Sequence, residues 1–109
     1  METIYTGRDN KINLLLKTDG AVQDLTAVTK MELLYKENYY DSDNFGSSFD
    51  FSTYATSGIV ILDIGSIGLE SGRDKNAEII VYDASNASGI IWDTFDLKVI
   101  ELEGTEVTP

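Results

Sequence analysis

Apolar and polar residues alternate with a period of two over three stretches of the chain, and each stretch predicts a half-buried strand. Ile12, Leu14 and Leu16 alternate with Lys11, Asn13 and Lys17, which sets three aliphatic side chains on one face. Met31, Leu33 and Tyr35 repeat the pattern against Lys30, Glu32 and Lys36, and Phe95, Leu97 and Val99 repeat it against Asp96 and Lys98. Between the first two strands, Thr18-Asp19-Gly20 supplies turn chemistry, because Gly20 takes a positive φ without steric cost. Asp24 then precedes Leu25-Thr26-Ala27-Val28, where its carboxylate can accept from backbone N–H groups two or three residues on. Residues 29–37 also permit a helical face of Met31, Leu34 and Tyr35. Their flanks carry β-type pattern, and a strand is expected.

Shorter signals complete the series. Ile59-Val60-Ile61-Leu62 is a run of aliphatics that predicts a strand covered on both sides for part of its length. Residues 65–72, GSIGLESG, place the apolar anchors Ile67 and Leu69 among glycines and serines, as a one-turn crossover between sheets would. Residues 77–82 form the next strand, 83–89 a turn cluster, and 90–100 the second arm of a long hairpin. Thr3-Ile4-Tyr5 adds a short edge strand. Seven or so strands with glycine-rich turns and the single Pro109 predict an all-β chain: a single-domain antiparallel β-sandwich over residues 1–100, followed by an acidic tail over 101–109.

Composition narrows the chemistry. A chain of 109 residues makes one domain and buries roughly two-thirds of its unfolded surface. There is no cysteine for disulfides or thiolate ligands, and no histidine, the usual general base at neutral pH and the commonest ligand of zinc. Eight basic residues stand against 19 acidic ones, a net charge of −11. That charge repels phosphate backbones and anionic lipid, so neither nucleic acid nor membrane is an expected partner; ordinary solvated surface charge is the first expectation, and a basic protein partner is the alternative. Met1-Glu2-Thr3 carries no basic or apolar leader, and no signal peptide is expected. Asn86-Ala87-Ser88 matches a glycosylation sequon and is read as turn sequence.

The candidate site is the aromatic segment 37–54, ENYYDSDNFGSSFDFSTY. Its mixture of rigid rings with Asp, Asn, Ser and Gly is that of binding loops. Tyr39, Tyr40, Asp41, Asp43 and Phe45 are the residues expected to meet a partner, while Phe49 and Phe51 alternate and belong to a strand. An ordinary connection with its rings folded over the sandwich end is the competing expectation. Residues 41–46 resemble the start of an EF-hand calcium loop, but Phe45 replaces an oxygen ligand and Ser52 stands where the bidentate glutamate belongs. Asp83, Asp93 and Asp96 share one hairpin without a spacing that fixes catalytic separation. With no nucleophile elbow, Walker sequence or dinucleotide loop, no enzyme, cofactor or metal is expected. Trp92 reads as a core plug, or else Ile90-Ile91-Trp92 forms an exposed edge that pairs with a neighbouring subunit.

The order of elements resembles a known family. Residues 7–35, GRDNKINLLLKTDGAVQDLTAVTKMELLY, are similar to the start of the immunoglobulin-like N-terminal domain of bacteriophage baseplate upper proteins, with its D-G turn and "DLT" segment. Residues 77–101, AEIIVYDASNASGIIWDTFDLKVIE, are similar to that family's final hairpin, and 37–56 have no counterpart. The resemblance implies an immunoglobulin-like sandwich and a structural or adaptor role in a phage tail or baseplate. It implies a virion protein whose partners are other tail proteins and copies of itself, and no catalytic residue. Serine at Tyr39, Tyr40 and Phe45 is expected to weaken assembly and leave folding cooperative. The alternative expectation is a carbohydrate- or protein-binding module that uses the same aromatic segment.

Overall fold

The structure, a computed structural model, describes residues 2–18 and 20–101; the expected acidic tail lies almost wholly outside the described residues. Ten strands form the framework. They are β1 (Glu2–Tyr5), β2 (Lys11–Leu15), β3 (Lys17–Thr18), β4 (Ala21–Val22), β5 (Lys30–Tyr35), β6 (Asn38–Asp41), β7 (Phe49–Tyr54), β8 (Ile59–Asp63), β9 (Gly72–Asp83) and β10 (Asn86–Ile100). No α-helix occurs among the described residues, so no helix there is long and apolar enough to cross a membrane. One sheet has the order β1-β10-β9-β5-β6, a second the order β2-β8-β7, and β3-β4 is a small separate hairpin. Every pairing is antiparallel except β1 with β10, which is parallel.

The two larger sheets enclose one core, and the period-two pattern supplies it. Ile12, Leu14 and Leu16 from β2 and its exit, with Val60, Leu62 and Ile64 from β8 and its exit, meet Met31, Leu33, Tyr35, Ile79, Val81, Leu97 and Val99 from the larger sheet. All of these side chains are buried. The segment between β8 and β9 crosses from one sheet to the other, and its anchors Ile67 and Leu69 are buried as expected. Asp24 closes its turn by accepting from the Thr26 N–H at 2.9 Å and from the Thr26 hydroxyl, which drops Leu25 into the core. Gly20 has φ 80°, the left-handed geometry its turn requires.

Three expectations need correction. Residues 83–89 are not one turn: only Ala84 and Ser85 separate β9 from β10. The Asp83 carboxylate accepts from the N–H groups of Ser85 and Asn86 and from the Asn86 amide, and this tight turn frees Ala87–Gly89 to enter the strand. Residues 37–48 are not one long loop. Asn38–Asp41 pair with β5 through a two-residue turn whose central Lys36 and Glu37 have φ 47° and 67°. The Ile59–Leu62 run is fully covered on one face only. Val60 and Leu62 are buried, while Ile59 and Ile61 point outward and are half-buried.

Candidate interaction surface

The five residues expected to meet a partner are dispersed by the strand geometry. Side chains alternate across β6, so Tyr40 faces inward and Tyr39 outward. Tyr40 tilts against Phe45 with ring centroids 6.1 Å apart, and both rings pack on the core. Asp41 turns its carboxylate into its own loop, accepting from the Asn44 N–H at 2.8 Å and from the Asn44 amide. The Asn44 N–H is the main cause that holds the Asp41 carboxyl below the usual carboxylate range. Asp43 is exposed, and Tyr39, at 60% exposure, is the one ring of the set offered to solvent. Serine at Tyr40 or Phe45 would therefore open the core, so the triple substitution does not isolate a surface.

The resemblance to a calcium loop ends at the same residues. Asp41 serves Asn44, and Asp50 accepts from the Ser52 and Thr53 N–H groups and from the Thr53 hydroxyl at 2.6 Å. Each carboxylate closes a turn. Among the described residues no three acidic, histidine or cysteine side chains gather to hold a metal. The hairpin acids are apart as well. Asp83 sits at the tip, Asp93 lies ~20 Å of extended strand beyond Asn86, and Asp96 is paired with Arg73.

A different constellation forms on the outer face of the larger sheet. The register aligns Asp41, Glu32, Ile80 and Ile91 across β6, β5, β9 and β10, with Tyr39, Leu34, Glu78 and Thr94 in the next row. Ile80 points away from the core yet is only 9% exposed, because its neighbours build a wall around it. Glu32 beside it is equally buried, and its Oε1 accepts from the Tyr82 hydroxyl at 2.8 Å. That bond to a carboxylate is the leading cause that raises the Tyr82 pKa. Gly89 makes the arrangement possible: a Cβ there would stand 2.7 Å from Ile80 and 2.9 Å from the Tyr82 ring. The result is an open cleft of about 490 Å³ with Ile80 as floor and Tyr39, Tyr82 and Ile91 as walls.

Two further apolar features lie elsewhere. Leu15, Ile59 and Tyr54 stand in register across the outer face of the smaller sheet, and Leu15 and Tyr54 are exposed. At the inner side of the hairpin, Trp92 is half-buried against the core and its indole N–H donates to the Lys17 carbonyl at 3.2 Å. Trp92 thus plugs the gap between β10 and the β3–β4 hairpin, as the first of its two expected roles requires. Ile90 and Ile91 beside it are exposed.

Glu32, Ile80 and Tyr82 carried no site signal in the sequence, and Ile91 only that of an exposed edge with Ile90 and Trp92. These four are drawn from three strands, and only the registers of β5, β9 and β10 bring them together. Comparison of the chain with known protein families, with curated proteins and with solved structures finds no match to any of them.

Proposed function

We propose that this protein is a non-enzymatic structural or adaptor component of a tailed phage or prophage, an immunoglobulin-like sandwich that works by protein association. One observation carries the association reading. The outer faces of both sheets bear exposed apolar side chains, Leu15 and Tyr54 beside half-buried Ile59 on one, and Ile91 and Tyr39 near buried Ile80 on the other. An antiparallel sheet that faces only water keeps that face polar, and contiguous apolar surface marks a site of contact.

Strand order supports the immunoglobulin-like part. Taking β2, β5, β6, β7, β8, β9 and β10 as strands B, C, C′, D, E, F and G gives B-E-D on one sheet and G-F-C-C′ on the other. The chain lacks the cysteine pair of antibody domains, and its tryptophan lies on the last strand. Aliphatic side chains, among them the fully buried Leu62 and Val81, take part in the core instead. The phage part rests on the resemblance of residues 7–35 and 77–101. A carbohydrate-binding module finds less support, because Tyr40 and Phe45 turn inward and the segment's exposed rings, Tyr39 and Tyr54, lie on different sheets.

Light scattering coupled to gel filtration over a range of concentrations tests the association reading. A discrete oligomer is expected, losing mass when Tyr54→Ser and Ile91→Ser are introduced. A monomer at every concentration overturns self-association.

A further inference from the structure

We propose that the cleft on the outer face of the larger sheet receives a cationic side chain, the lysine or arginine of a basic partner segment. The argument begins with Glu32. It is an outward-facing carboxylate that is nine-tenths buried, a position acidic residues seldom hold unless they are paired. Its Oε1 accepts from Tyr82, whereas Oε2 receives no hydrogen bond among the described residues. A carboxylate offers about four acceptor sites, so most of this one's capacity remains open to an incoming donor.

The neighbours of Glu32 point to the same ligand charge. Asp41 stands directly opposite it in the β5–β6 register, and like charges placed opposite one another on adjacent strands are destabilising. Glu78 lies on the same face one row away. The chain's own nearby cation, Lys30, is committed to the Tyr82 ring, with its ammonium 4.9 Å from the centroid. Beside the Asn44 N–H, Lys30 already draws the Asp41 carboxyl down, and a second cation near Glu32 would act in the same sense. The walls suit a lysine or arginine as well as the floor does. Tyr39 offers a π face to a charged head, and Ile80 and Ile91 offer apolar surface to its methylene stem. A volume of about 490 Å³ accommodates one such side chain together with a short stretch of its backbone. The net charge of −11 steers a basic segment toward this face and disfavours a second copy of the acidic chain as its source.

The inference rests on the association reading in one respect, that another protein supplies the cation. Its test is a titration of the isotope-labelled full chain with a tetra-arginine peptide, followed by amide chemical shifts, with a tetra-glutamate peptide as control. Expected are shifts concentrated at Glu32, Tyr39, Ile80, Tyr82 and Ile91, and about tenfold weaker binding in Glu32→Gln, which keeps an oxygen for Tyr82 but loses the charge. Tyr39→Ser, at an exposed position, provides a second variant that leaves the fold intact and should also weaken binding. Shifts spread evenly over the acidic surface, or unchanged affinity in both variants, would overturn the proposal. Self-association is read separately by scattering without peptide. An intact oligomer that ignores the peptide sinks only the cation site.

Discussion

The polar side chains of this protein are used mainly to close turns and to tie the ends of strands, and their titration sets the pH range of the fold. Tyr35 is fully buried and its hydroxyl donates to the Glu70 carbonyl at 2.7 Å. Burial, followed by the charges of Glu70 and Asp74, pushes its pKa up to about 12. A group raised in the folded state stabilises fully below its unfolded value of about 10, and that contribution is lost as the pH climbs through about 12. The carboxyls of Asp24, Asp41, Asp50 and Asp96 are shifted the opposite way. Hydrogen bonds from Thr26, Asn44, Thr53 and Arg73 respectively are the leading causes. Their contributions are present above the unfolded value of 3.8 and disappear as the pH falls through the lower folded values. Thermal melts across pH should therefore show a plateau bounded by acid loss below about 4 and alkaline loss above about 10. Tyrosinate absorbance should show Tyr35 as a late-titrating ring, and Tyr35→Phe should remove its share of that late phase, leaving that of Tyr82, at a cost of about 1 kcal/mol. An alkaline limb that persists unchanged in the phenylalanine variant would assign it elsewhere.

At the scale of elements, turn chemistry decides what can be read from the chain. The β5–β6 hairpin turns on Lys36 and Glu37, both at positive φ, where asparagine and glycine are the usual residues. Tertiary contacts hold it: the Lys36 N–H donates to Asp74 at 2.9 Å and its ammonium to the Ser71 carbonyl at 2.7 Å. Glu37 is exposed, so Glu37→Gly removes left-handed strain without loss of packing. It should stabilise the fold by about 1 kcal/mol, measured as a higher denaturant midpoint at unchanged slope. A lower midpoint would mean that Glu37 makes contacts that outweigh the strain. This turn also explains why β6 was hidden. Lys-Glu carries no turn signal, so residues 37–48 read as loop, and Tyr39 and Tyr40 read as neighbours on one surface although the strand sends them to opposite faces. The core strands were legible because burial on one face imposes a period of two on Ile12–Leu16, Met31–Tyr35 and Phe95–Val99. Bulges leave no such mark. The β9–β10 register slips between Ile91 and Asp93, which makes Trp92 the extra residue and lets it turn toward Lys17. Because β1 pairs with Leu97–Ile100, the edge of β10 before Leu97 has no strand beside it among the described residues. The bulge, together with the exposed charge of Asp93 opposite buried Ile79, breaks the flat template that edge-to-edge pairing needs. Contact through the faces of the sheets does not meet that interruption.

For the whole molecule, charge and apolar surface make opposing demands on any partner. A net charge of −11 on 109 residues sets copies of the chain against one another, whereas the outward rows of Leu15–Ile59–Tyr54 and Ile80–Ile91 draw apolar surfaces together. Salt separates the two, since it screens exposed charges beyond a Debye length of about 30 Å at 0.01 M and about 8 Å at 0.15 M. Contact between identical copies is opposed by their charge and should strengthen as salt rises through that range. Contact with a basic segment is drawn by charge and should weaken, since screening slows the steered encounter and loosens pairs at the rim of the cleft. The prediction is a pair of opposite slopes in one protein: oligomer mass by light scattering increasing with salt, and affinity for tetra-arginine decreasing with it. Charge reversal gives the control, because Asp43→Lys and Asp93→Lys alter two exposed acids that close neither the cleft nor the core. These changes should flatten the oligomer slope and leave the preference of peptide shifts for Glu32 in place. If both associations moved in the same direction with salt, charge would govern both, and the assignment of self-contact to apolar surface would fail.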